Sequence, residues 1–160
     1  RDVIDITVEL ATEMLRLAGK TDVDVAAALT DGRAMDKWRA MISAQGGDPD
    51  AALPVARESH VVVAEADGVL TKLDALAVGV ASWRLGAGRE RKEDAVQFGA
   101  GITLHAQQGQ RVAKGQPLMT LLTDEPARFE RALDALSGGV SIDPHASPSD
   151  KQIVLDRVTG

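Results

Sequence analysis

Cysteine is absent from the 160 residues, which removes disulfides, thiolate metal sites and cysteine nucleophiles together. Aromatic side chains are scarce. Phe98, Phe129, Trp38 and Trp83 stand alone, so a core drawn from the 44% hydrophobic residues has to be aliphatic and rich in alanine. No apolar run approaches the ~20 residues that a membrane helix requires, and the N-terminus lacks a signal-peptide pattern. The formal charge is −6 and the basic residues are dispersed, so neither nucleic acid nor a membrane is expected as a partner. His60, His105 and His145 fall in separate elements with no second ligand at metal-binding spacing, and no metal is expected. No Gly-x-Ser-x-Gly occurs, and Ser59, Ser82, Ser137 and Ser141 have no base partner in the sequence. These absences permit a cytoplasmic setting. The first residue is Arg1 rather than methionine, so the chain is expected to be a processed product or an excerpt.

What is present begins with helical periodicity. Val3, Ile6, Leu10, Met14 and Leu17 recur at spacings of three and four, which predicts a helix over 3–17, capped by Asp2 and stopped by Gly19. Ile4, Val8, Ala11, Leu15 and Ala18 widen the stripe until little of the circumference is polar, a pattern that calls for neighbours on more than one side. Residues 22–30 read as a second helix, stopped by Asp31-Gly32. Residues 33–45 read as a third, with Met35, Trp38, Met41 and Ile42 on one side. Trp38 on that stripe is read as core rather than as a stacking platform for a base. Three amphipathic helices with few strand signals form no obvious closed domain. They are expected to be the tail of a larger domain that continues upstream.

The period then changes. Residues 60–66 and 69–73 flank Asp67-Gly68 and read as a β-hairpin, in which the small Ala64, Ala66 and Gly68 let the backbones bend as a tight barrel needs. Asp74 is placed to cap a helix over 75–85, and Gly79 to permit close approach by a neighbour. Beyond the Gly86-Ala87-Gly88-Arg89 turn, strands are predicted over 96–104, at Val112 and over 118–122. A helix follows to about Leu136, capped by Thr123 or Asp124 with Pro126 in its first turn. Last strands are predicted over 140–142 and 153–158, separated by a polar loop.

Two stretches carry candidate chemistry. A glycine-rich turn can cradle phosphate through backbone N–H groups, with Arg89, Arg91 and Lys92 adding charge, but here the glycines follow a helix instead of opening one. The plainer reading is a helix stop followed by a solvated charged loop, in which Glu93 and Asp94 serve solvation. The spacing Gly109-x-x-Val112-x-x-Gly115-x-x-Leu118-x-x-Leu121 is similar to that of biotinyl and lipoyl carrier domains. A carrier needs a lysine at an exposed hairpin tip, and Glu125, which stands in that place, cannot form the amide.

Asp67-Gly68-Val69-Leu70-Thr71-Lys72-Leu73-Asp74-Ala75-Leu76-Ala77-Val78-Gly79, the Gly86-Ala87-Gly88-Arg89 turn with Lys92-Glu93-Asp94, and Gly101-Ile102 with the glycine spacing above together resemble the C-terminal domain of thymidine and pyrimidine-nucleoside phosphorylases. The resemblance reaches back through 6–19 and 36–49 and loosens after about Ser137. It implies an α+β chain, with residues 1–52 the helical end of the phosphorylase α/β domain and 53–160 a small barrel-sandwich-like C-terminal domain. For the intact parent it implies a pentosyltransferase, without a cofactor, that converts thymidine and phosphate into thymine and 2-deoxyribose 1-phosphate, and a homodimer formed through N-terminal helices. In relatives the phosphate cradle is a glycine-rich Lys/Ser/Thr loop, and Arg, Ser and Lys residues hold the nucleoside, all in the first two-thirds of the chain. None of those motifs occurs here. The resemblance therefore assigns this chain no catalytic or substrate-binding residue, predicts it inactive alone, and makes the remainder of the phosphorylase its partner. It also implies a third reading of the turn, a loop that orders over the cleft on closure, with Gly86 and Gly88 giving torsional freedom and Arg89 anchoring it. The competing class is a stand-alone barrel-sandwich binding or scaffold module.

Overall fold

The computed structural model describes residues 2–149 and 154–158 of the chain, which divides into two compact units. The first contains α1 (Asp2–Leu17), α2 (Val25–Thr30) and α3 (Arg33–Ala44). α1 ends as its sequence predicts. Gly19 takes φ 70°, and the Lys20 amide donates to Leu15 O at 2.9 Å, closing a left-handed cap. The capping assigned to the Asp2 side chain lies outside the described residues. α2 is shorter than 22–30, because Asp24 accepts a hydrogen bond from the Ala27 amide at 2.9 Å and so fixes the first helical residue at Val25.

No described residue before Ala64 is buried. Leu17 is 76% exposed and Trp38 44%, so the assignment of Trp38 to a core is corrected: among the described residues no layer covers the stripe it shares with Met35 and Met41. The strand predicted over 153–158 is absent from 154–158, and Ile153 lies outside the described residues. Arg157 reaches α1 instead, 2.8 Å from Glu9 Oε1 and 2.8 Å from Glu13 Oε1.

The second unit is α+β. It contains β1 (Glu58–Val63), β2 (Gly68–Leu73), α4 (Ala75–Ser82), β3 (Gly101–Leu104), β4 (Arg111–Val112), β5 (Pro117–Thr123), α5 (Arg128–Leu136) and β6 (Val140–Asp143). Its strands form two three-stranded antiparallel sheets, ordered β1-β5-β3 and β4-β2-β6, and no closed barrel among the described residues.

The predicted hairpin is therefore corrected, since β1 and β2 belong to different sheets. The cause is local. Ala64 is buried, its amide donates to Gln116 O at 2.8 Å, and its carbonyl accepts from the Gly115 amide at 2.8 Å. The chain leaving β1 is thus held on the 113–116 turn and crosses to the other sheet. Gly68 then admits β6, for a Cβ there would stand 2.7 Å from Asp143 O.

Asp74 caps α4 as predicted, accepting from the Leu76 and Ala77 amides at 2.9 and 3.1 Å. Gly79 meets no neighbour within 4 Å of a built Cβ, so close approach is not its role; it borders an open, mostly apolar groove with Val78, Ile102 and Leu104. Of the strand predicted over 96–104 only Gly101–Leu104 forms, because the preceding segment turns past Ala56, whose amide nitrogen lies 2.4 Å from where a Gly99 Cβ would stand. Thr123 ends β5 and caps no helix. α5 begins at Arg128 with Ala127 at an uncapped start, leaving Pro126 ahead of the helix.

β5 is the hub. Met119 and Leu121 pack with Ala81, Leu85, Ala132 and Leu136 of the helical layer, while Leu118 joins Ala64, Leu70, Ala106 and Val112 between the sheets. Leu73 and Val140 touch both clusters. Each buried leucine contributes about 1.5 to 3 kcal/mol, which makes this aliphatic centre the main support of the second unit.

Candidate functional site

The Gly86-Ala87-Gly88-Arg89 turn follows directly from the end of α4. The helix widens over Trp83–Ala87 and stops at Gly86, where φ is 112°, a conformation open to glycine. The Gln97 side chain lies beneath it: a Cβ on Gly86 would stand 2.8 Å from Gln97 Cδ, and the Gln97 amide donates to Gly86 O at 2.9 Å. Gly88 sits against the indole of Trp83, with a built Cβ 2.7 Å from Cδ1. The same indole donates Nε1–H to Arg89 O at 2.9 Å. Both glycines are thus required by contact, and Gly86 by its torsion as well.

Asp94 organises the charged run that follows. Its Oδ2 accepts from the Glu90 amide at 3.1 Å and the Arg91 amide at 2.7 Å, so it is a turn-former and not only a solvating charge. Two backbone donors that a phosphate cradle would need are already taken. Glu90 pairs with Arg131 of α5, and Arg84 donates to Arg131 O at 2.7 Å and Asp134 Oδ2 at 2.8 Å. Between loop and α5 lies an open cavity of about 340 Å³ whose lining cations, Arg91, Arg128 and Arg131, are matched by Glu90, Asp94 and Glu125. With the charges balanced, no net positive field favours a phosphate there. Arg89 itself is exposed and makes no ion pair among the described residues.

Below the turn runs a network that sequence reasoning missed. Thr123 is fully buried, and its hydroxyl donates to Leu85 O at 2.8 Å and accepts from the Glu125 amide at 3.2 Å. Gln97 Oε1 accepts from the Asp124 amide at 2.7 Å, and Nε2 donates to Glu125 Oε1 at 2.6 Å. An amide on one side and a carboxylate on the other fix which way the carboxamide points. No periodicity or spacing marks Gln97, because its partners lie 26 to 28 positions away. Arg128 Nε is 3.1 Å from Glu125 Oε2 and counts as an ion pair by distance, yet its N–H is not aimed at that oxygen and finds no acceptor. Glu125, in the place of the carrier lysine, is occupied by these partners.

The histidines stay apart. His60 lies 5.6 Å from the Phe129 ring, His105 Nε2 is 2.7 Å from Thr120 Oγ1, and the His145 amide donates to Asp143. Among the described residues no group of three or more His, Asp or Glu is gathered for a metal, and no helix is long and apolar enough to cross a membrane.

Residues 69–143 match the family model of the pyrimidine nucleoside phosphorylase C-terminal domain. The chain is 46% identical over 157 residues to the thymidine phosphorylase of Mycobacterium tuberculosis H37Rv, an alignment covering 98% of this chain and 36% of that relative. It is 35% identical over 135 residues to a pyrimidine-nucleoside phosphorylase of Staphylococcus epidermidis, covering 78% of this chain and 31% of the relative. With that of Bacillus subtilis 168 the identity is 36% over 131 residues, covering 75% and 30%. The similarity to the mycobacterial relative therefore extends past Ser137, where the sequence resemblance had loosened. The chain spans about a third of the length of the curated relatives it matches. From β2 to β6, this chain matches the pyrimidine nucleoside phosphorylase C-terminal domain, and its similarity to the named phosphorylases runs on either side of that match.

Proposed function

We propose that the chain is the C-terminal portion of a thymidine or pyrimidine-nucleoside phosphorylase and that it is structural rather than catalytic on its own. The reading rests chiefly on the 46% identity that runs over nearly the whole chain to a thymidine phosphorylase. In the reaction of the intact parent, a pentosyl transfer, an oxygen of inorganic phosphate bonds to the anomeric carbon of thymidine, the glycosidic C–N bond breaks, and thymine departs with its bonding electrons and gains a proton. That chemistry needs an anion cradle, a cation near the sugar and donors to the departing base. The charge-balanced cavity beside the 86–94 loop offers none of these as a set.

In this reading residues 1–52 are the helical end of the phosphorylase α/β domain and 53–160 its C-terminal domain. The exposed apolar faces of α1 and α3 support the remainder of the phosphorylase as partner. Two three-stranded sheets sharing Leu73 and Val140 support a barrel-sandwich arrangement of the C-terminal domain. The parent is a cytoplasmic homodimer whose contacts lie outside this chain, acting on phosphate and a pyrimidine nucleoside. Gly86, Gly88 and Arg89 form a loop that closes over the cleft, with the exposed Arg89 as its anchor.

Thymidine and phosphate are the test substrates. The parent protein releases thymine and 2-deoxyribose 1-phosphate, and the 160-residue chain releases none. Thymine release by the isolated chain would end the structural reading. Arg89→Ala in the parent should raise KM for thymidine or phosphate or lower turnover by about tenfold, the scale of one lost charged contact; unchanged kinetics remove the closure role.

A further inference from the structure

We propose that the 86–94 loop is held preformed before any substrate arrives, and that Gln97 is the positioning residue that latches it to the corner between β5 and α5. This rests on the closure reading of the loop for its functional consequence, but the latch itself stands on contacts within the second unit.

One residue ties three pieces together. The Gln97 backbone N–H donates to Gly86 O at 2.9 Å, while its side chain accepts from the Asp124 amide through Oε1 at 2.7 Å and donates through Nε2 to Glu125 Oε1 at 2.6 Å. The buried Thr123 hydroxyl bonds Leu85 O at 2.8 Å and places the same corner under the end of α4. Farther along the loop, Trp83 takes Arg89 O, and Asp94 takes the Glu90 and Arg91 amides. Gly86 and Gly88 have no room for a Cβ against Gln97 and Trp83, so they fasten the loop to its bed rather than serve as free hinges. A loop pinned at both ends and along its backbone presents Arg89 without an ordering cost at the moment of closure. Removing the pin lowers the population of the competent conformation, and apparent affinity falls by the same factor.

The test uses the intact parent phosphorylase, free of substrate, with amide hydrogen exchange read by fragment. In the wild-type protein the amides of Glu90, Arg91 and Asp94, which have acceptors within the loop, should be protected. Gln97→Ala should speed their exchange by about tenfold while leaving fragments from β2 and β6 unchanged, and should raise KM for thymidine by about tenfold with kcat nearly intact. Gln97→Glu keeps the acceptor for Asp124 but sets two carboxylates face to face, so it should match or exceed the alanine effect. The exchanged pair Gln97→Glu with Glu125→Gln restores a donor opposite an acceptor and should restore both protection and KM. Free exchange at these three amides in the wild-type protein, an exchange increase spread evenly over the whole second unit, or no rescue by the exchanged pair would each overturn the latch. If protection behaves as described while Arg89→Ala leaves the kinetics unchanged, the closure reading fails and the latch remains.

Discussion

α1 and β5 both carry leucine and methionine, and these side chains lie on opposite sides of the solvent boundary. Leu10, Met14 and Leu17 of α1 are exposed, whereas Leu118, Met119 and Leu121 of β5 are at most 2% exposed. The apolar side chains themselves are of the same kinds. What separates them is whether the chain supplies the second layer: β5 has a strand on each side and helices α4 and α5 against it, while α1 has only short helical companions in its unit. Exposed apolar patches are the kind of surface by which proteins contact one another; the partner proposed above is the remainder of the phosphorylase.

The sharpest way to break the comparison is to truncate one leucine from each region. Leu121→Ala should cost about 2 to 5 kcal/mol of unfolding free energy in this chain, since it empties a closed site. Leu10→Ala should cost no more than about 0.5 kcal/mol in the chain, as exposed substitutions do. In the parent phosphorylase the proposed partner covers the face, and under that proposal the same Leu10→Ala should cost about 2 kcal/mol or more. Urea unfolding of both proteins checks all three values. Equal costs for Leu10→Ala in chain and parent would mean that α1 meets no partner.

That contrast also explains what the sequence makes legible. The α1 stripe, the Gly19 stop and the Asp74 cap are readable because a single turn of backbone decides them. Which strands pair is not, because Ala64 chooses Gln116 and Gly115 over β2 through contacts some fifty residues away. The loop was visible as Gly86, Gly88 and Arg89. Its fastening by Trp83, Asp94 and Gln97 was not, since a carboxamide reaching Glu125 leaves no local pattern. Trp38 was misread for a third reason: its stripe has the spacing of a core face, and no described residue covers it.

Two smaller tests refine the second unit. Thr123→Val keeps the shape of a fully buried side chain and removes its hydroxyl, leaving Leu85 O and the Glu125 amide without that partner. It should lower stability by about 1 to 3 kcal/mol, the cost of buried polar groups left unpaired. Thermal or urea unfolding reads it, and a neutral result would mean that water or a rotated Gln97 takes the place of the hydroxyl. Asp74→Ala removes the acceptor for two amides at the start of α4 and should cost about 1 kcal/mol. Asp74→Ser should recover most of that loss, because a hydroxyl also accepts at this position.

The least of the effects belongs to the helical unit, and its sign follows from one carboxylate. Asp31 stands between α2 and α3, accepting from the Arg33 amide at 3.1 Å and from Arg33 Nε at 2.7 Å. The backbone hydrogen bond from Arg33 is the largest cause, and together with the Arg33 side chain it outweighs the opposing desolvation and holds the carboxyl below the ordinary aspartate range. A folded-state value depressed below the unfolded one means that the contribution is complete above the unfolded aspartate range and disappears as pH falls through the lower, folded value. Because Asp31 lies in water, salt should weaken the effect further. An NMR titration of its side-chain carboxyl should find a midpoint lower than that of an isolated aspartate, and Arg33→Ala should move it upward. A midpoint in the ordinary range would leave the α2–α3 junction without this electrostatic hold, and the contrast with the packed second unit would then be sharper still.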